Sequence, residues 1–148
     1  MKKIISAAII TATLFIACNN KSEGPAADKD KSTASTTEVA KGPDQSTPKG
    51  VAEIIFGAAQ TGDYSKLKDL CHASLEPDAD SKHICDVTTG DDELKANFKE
   101  HFSKGTVTGE AVIEGDNAKV EILFGPDGTK KETLNMTKKD GKWYLVSF

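Results

Sequence analysis

The chain has 148 residues, with 19 Lys, no Arg, 23 Asp plus Glu and three His, for a formal net charge of −4. Lys2 and Lys3 fall in a leader-like segment, so the mature balance is 17 lysines against 23 acids, or −6. That acidity without a single Arg argues against a nucleic-acid binder, because counterion release needs clustered cations, and the length supports one domain at most.

Met1-Lys2-Lys3 is a short positive segment, and Ile4 to Ile16 is apolar apart from Ser6, Thr11 and Thr13. A membrane-spanning helix needs about 20 apolar residues, so this run is too short for a span and reads as a removable leader over residues 1–17. Leu14-Phe15-Ile16-Ala17-Cys18 resembles a bacterial lipobox. The resemblance implies that Cys18 receives diacylglycerol and palmitate-type acyl chains and becomes the first residue of a lipoprotein held in the bilayer. Asn19, in place of Asp, implies the outer membrane of the cell envelope by the same resemblance. Two or three chains at about 0.8 kcal/mol per buried methylene would make the anchorage essentially permanent. The competing reading is an ordinary secretory leader with an incidental cysteine.

Asn19 to Pro48 contains no Leu, Ile, Phe, Tyr or Trp, and its four Lys and five acids nearly cancel. Such a stretch cannot bury enough apolar surface to offset its ordering entropy, so residues 18–47 read as a flexible linker reaching about 30 Å. The folded domain is expected over residues 48–148. Thr47 as cap with Pro48 at the first helical position opens a helix carrying Val51, Ile54, Ile55, Ala58 and Ala59, closed by Thr61-Gly62. Asp63 is expected to cap a second short helix with Tyr64, Leu67, Leu70 and Cys71 on one side, followed by a polar, Pro-containing loop. Thr89 to Glu93 starts a third helix with Leu94, Phe98 and Phe102 inward, its acids near the positive end of the dipole.

Beyond Gly105 the apolar period changes to two. Val107 to Glu114 predicts one strand with Ala111 and Ile113 on a common face, and Gly115-Asp116-Asn117 a turn. Ala118 to Phe124 alternates Val120, Ile122 and Phe124 against Lys119 and Glu121. Gly125-Pro126-Asp127-Gly128 turns again, Leu134 and Met136 mark a third strand, and Asp140-Gly141 is a strong hairpin signal. In the last strand Trp143 and Leu145 share one face and Tyr144, Val146 and Phe148 the other, so it should lie inside the sheet or have its outer side covered. The sum is an α+β fold, three helices and about four antiparallel strands.

Gly62-Asp63-Tyr64, Gly115-Asp116-Asn117-Ala118-Lys119-Val120 and Lys139-Asp140-Gly141-Lys142-Trp143-Tyr144-Leu145-Val146 resemble the nuclear-transport-factor-two-like (cystatin-like) superfamily. More narrowly, they resemble its lumazine-binding-like lipoproteins of unknown function. The resemblance implies a curved sheet wrapped round helices as a cone, often with a cavity at the open end. Members include isomerases, dehydratases, ligand carriers and dimerising adaptors, so the fold does not choose a task.

Cys71 and Cys85 form an even pair in an exported chain, which points to a disulfide closing a loop of 15 residues. The alternatives are free thiols or a metal held by Cys71-His72 and His83-x-Cys85. Side chains adjacent on a helix diverge by about 100°, and the pairs lack the spacer of zinc knuckles, so no metal or cofactor is assigned. Glu76 to Glu93 holds seven acids against Lys82, but Lys82 and His83 occupy places where a calcium loop needs other residues, so a solvated acidic face is expected. The Lys130-Lys131 and Lys138-Lys139 pairs read as solubilising edge charges. His101, one turn from Phe98, is expected beside the cavity, and His101, Asp63 and Tyr64 are the nearest candidates for acid–base chemistry. No nucleophile triad, phosphate loop or metalloprotease helix is present. Three functions follow: a non-enzymatic module binding a small apolar ligand or a protein partner at the envelope, an isomerase- or dehydratase-like pocket enzyme, or a homodimer formed through the sheet.

Overall fold

Thr47 and Pro48 begin the first helix as their side chains dictate. In the computed structural model, which describes residues 42–148, Thr47 Oγ1 accepts the Gly50 N–H at 3.0 Å and Pro48 occupies the first turn. The helix α1 spans Pro48–Thr61 and stops at Gly62, whose φ of 78° suits a residue without Cβ and whose N–H donates to Ala58 O at 2.8 Å. Val51, Ile54, Ile55, Ala58 and Ala59 are all buried. Each large side chain among them contributes about 1.5–3 kcal/mol relative to exposure. The leader, Cys18 and most of the linker lie outside the described residues.

Asp63 does not cap a second α-helix. Its Oδ1 accepts the Ser65 N–H at 3.1 Å in a local turn, Lys66 stands at the cap position without a side-chain acceptor, and only a 3₁₀ turn, Leu67–Leu70, follows. Leu67 and Leu70 are nevertheless fully buried. A second 3₁₀ turn, Ala73–Leu75, comes next. The expected polar loop then contains a helix, α2, over Ala79–Asp86. Asp78 Oδ1 caps it by accepting the Ser81 N–H at 2.8 Å, and Ser81, Ile84 and Cys85 face inward. Helix α3, Asp92–Phe102, is capped in the same way by Asp91, which accepts the Leu94 N–H at 2.9 Å. Phe98 and Phe102 are buried and Leu94 half-buried, as the apolar stripe requires.

Five antiparallel strands form one curved sheet: β1 (Thr106–Val107), β2 (Val112–Glu114), β3 (Asn117–Phe124), β4 (Lys130–Lys139) and β5 (Lys142–Ser147). The order is β1-β3-β4-β5, with β2 also beside β3. The single strand expected over Val107–Glu114 is broken, because Gly109 has a φ of 82° that extended backbone does not adopt. Ile113 pairs with Ala118 and shares its face, but on so short a strand it remains 54% exposed. Ala118, Val120, Ile122, Phe124, Leu134, Met136, Trp143 and Leu145 pack as the inner face. The lysine pairs sit at the two ends of β4, an interior strand, so they are not edge charges. Lys131 pairs with Glu121 at 2.8 Å, Lys130 and Lys138 lie over the Phe124 and Trp143 rings, and Lys139 donates to Ser74 Oγ.

β5 departs from simple alternation. Met136 pairs with Leu145 but Asn135 pairs with Ser147, leaving Val146 as an extra residue. A one-residue bulge reverses the parity of everything after it. Phe148 is thereby turned onto the core side, with its ring centroid 5.5 Å from Phe102 and 5.0 Å from Phe124, instead of sharing the face of Tyr144. Val146 O, left out of the ladder, accepts the Asp78 N–H at 2.9 Å, and the Phe148 N–H donates to Asp78 Oδ2 at 3.2 Å. Trp143 exchanges bonds with Gln45, its N–H donating to Gln45 O at 2.8 Å and its carbonyl accepting from Gln45 Nε2 at 3.0 Å. The last strand lies at the sheet's end with its polar edge satisfied by a loop on one side and a helix cap on the other.

Candidate functional site

A cleft of about 230 Å³ opens between α2, α3 and the ends of β3 and β5. Its floor is aromatic. Phe102 stacks between Phe98 and Phe124, with centroids at 5.0 and 5.4 Å, and Phe148 closes the cluster. Aromatic rings at 4.5–7 Å gain beyond their buried area, so ring–ring contact stabilises this apolar floor. Ile84, Val87 and Leu94 extend the apolar wall, while Asp80, His83, Asn97 and His101 supply the polar groups.

His101 does line the cleft. Its Nδ1 lies 2.9 Å from Asn97 O, one helical turn back, and its carbonyl accepts the Gly125 N–H at 2.7 Å, fixing the end of α3 to the turn after β3. The other two catalytic candidates are elsewhere. Asp63 is exposed, and Ser65, through its hydroxyl and N–H, holds its carboxyl below the usual carboxylate range. Tyr64 packs edge-on against Phe98 at 5.8 Å, behind the floor, and does not line the cleft. The structure therefore does not assemble Asp63, Tyr64 and His101.

It brings His83 to His101 instead, one histidine from each wall. Sequence reasoning misses His83 and Asp80 as cleft residues, because the polar composition of their segment predicts a loop where the helix α2 lies. The available signal is Asp78 itself, a favoured cap residue, but without an apolar run behind it. Among the described residues neither cleft histidine meets a carboxylate, and acid–base chemistry needs partners within hydrogen-bond reach.

Cys71 and Cys85 are joined in a disulfide. It ties the C-terminal turn of α2 to the segment after the first 3₁₀ turn, so the wall bearing His83 is held from both ends: Asp78 at the start, Cys85 near the finish. Both sulfurs being bonded to each other, the four-ligand metal arrangement does not form. His72 Nδ1 accepts the Ser74 N–H at 3.2 Å, and its ring meets Tyr144 at 5.2 Å. Among the described residues no group of three or more His, Cys, Asp or Glu side chains is placed to hold a metal. The acids between Glu76 and Glu93 are exposed except Asp78, which is half-buried; Asp78 and Asp91 serve as helix caps. Among the described residues no helix is long and apolar enough to cross a membrane.

No family model matches this chain, and no curated protein does. Among solved structures it is similar to a chain from Campylobacter jejuni described as a proposed NTF2-like transpeptidase. The identity is 21%, the match covers 69% of this chain and 98% of that one, and the TM-score is 0.44. Likeness at that level assigns no activity to the present cleft, whose chemistry is read from its own residues.

Proposed function

We propose that this chain is an envelope lipoprotein, anchored by acylated Cys18, whose α+β body binds a small apolar ligand in the aromatic cleft and performs no catalysis of its own. One observation carries the binding role: four Phe side chains on α3, β3 and the bulged end of β5 converge on one concave floor with polar groups only around it. An apolar pocket with a few convergent polar groups is what a ligand site requires. The absence of a carboxylate partner for either cleft histidine, among the described residues, favours binding over proton transfer. The anchor rests on the lipobox resemblance in the sequence.

A second reading has an observation of its own. Val112 and Ile113 on β2 are 57% and 54% exposed, which favours a sheet-mediated homodimer or protein partner. Native mass spectrometry of the full chain purified from its own host distinguishes these. The proposal expects a monomer carrying acyl mass on Cys18 and a small co-purifying ligand; a ligand-free dimer would replace it with the second reading. Cys18→Ser should abolish the acyl mass and release the protein from membranes, and retention of either would remove the anchor from the account.

A further inference from the structure

Around its mouth the cleft is charged with one sign. Asp80 lines the cleft itself, and Asp91 and Glu93 line an adjoining hollow that shares His83, Leu94 and Asn97 with it. No Lys lines either hollow. The positive end of the α3 dipole also points here, but at roughly half a charge it is outweighed by the carboxylates of Asp91, Asp92 and Glu93. Behind this mouth the floor is apolar, with Phe102 packed between the Phe98 and Phe124 rings. One floor ring is already covered by a cation from outside the cleft, with Lys130 Nζ 4.6 Å over the Phe124 centroid, so the charge preference rests on the mouth alone.

From this complementarity we infer that the cleft selects cationic amphiphiles, small amines or quaternary ammonium compounds with an apolar body. The apolar body seats on the Phe98–Phe148 floor, and the cationic head stays at the mouth, facing Asp80 and the Asp91–Glu93 hollow. An anionic ligand of the same shape is repelled by three carboxylates, and a neutral one gains the floor alone. The inference rests on the cleft being the ligand site, as proposed above, and adds the charge of what enters it.

The test uses the full chain with Cys18→Ser, at pH 8 and low salt, and three probes of matched shape: 4-phenylbutylamine, 4-phenylbutan-1-ol and 4-phenylbutyrate. By calorimetry the amine should bind at least about tenfold tighter than the alcohol, and the carboxylate weakest; tenfold corresponds to about 1.4 kcal/mol. The double substitution Asp80→Asn with Glu93→Gln should narrow the gap between amine and alcohol to about twofold, as should 0.5 M salt. If the alcohol or carboxylate equals the amine, the charge preference is overturned and the cleft reading stands. If no probe binds, the cleft reading fails and this inference falls with it.

Discussion

Replacing Asp78 with Ala should lower folding stability by about 2 kcal/mol, because this one side chain joins a helix cap to a strand bulge. Losing the cap of α2 costs about 1 kcal/mol, and stranding the part-buried Phe148 N–H costs about 1 more. For a domain of this size that is a fall in Tm of about 10 °C. Asp78→Asn keeps an acceptor oxygen and should lose about half as much. The acid limb of the stability curve offers an independent check. Burial pushes the Asp78 carboxyl up, but the N–H and hydroxyl of Ser81, the Phe148 N–H and the charge of Lys82 together outweigh it and hold it below its ordinary value of 3.8. A carboxyl lowered by folding contributes stability that is complete above about pH 4 and is lost as pH falls through the folded value. Urea unfolding followed by circular dichroism should show wild type losing stability more steeply than Asp78→Asn between about pH 4 and pH 2. An Ala variant within about 0.5 kcal/mol of wild type, or equal acid slopes, would refute the coupling of α2 to β5.

Replacing Cys71 and Cys85 together with Ala should remove about 3 kcal/mol, the chain-entropy value for a 15-residue loop, read by urea unfolding as a lower midpoint with a somewhat larger m-value, because the unlinked unfolded chain exposes more surface. Gly105→Ala should destabilise by at least about 1–3 kcal/mol in the same assay, since its Cβ would stand 2.1 Å from Phe56 Cδ1 inside the core.

Elements whose order is local are legible in the sequence. Thr47-Pro48, Gly62, Asp91 and Asp140-Gly141 act within a few residues of themselves, and the α1 and β3 stripes repeat long enough to declare their period. α2 was hidden because only Ile84 and Cys85 of its eight residues are apolar and buried; the disulfide and the Asp78 clamp hold it, and neither contact is periodic. The bulge at Val146 was equally invisible. Strict alternation puts Phe148 beside Tyr144, and only the pairing of Asn135 with Ser147 reveals the reversal that completes the aromatic floor. His101 was found because its helix was found. His83 and Asp80 were not, since their place in the cleft depends on how α2 is fastened.

The most direct test of the ligand cleft is a methyl NMR titration of the full Cys18→Ser chain with 4-phenylbutylamine. The account predicts saturable shifts at Ile84, Val87 and Leu94, which line the cleft, with Val112 and Ile113 on β2 unmoved. Shifts confined to Val112 and Ile113, or none at the three cleft residues, would contradict it.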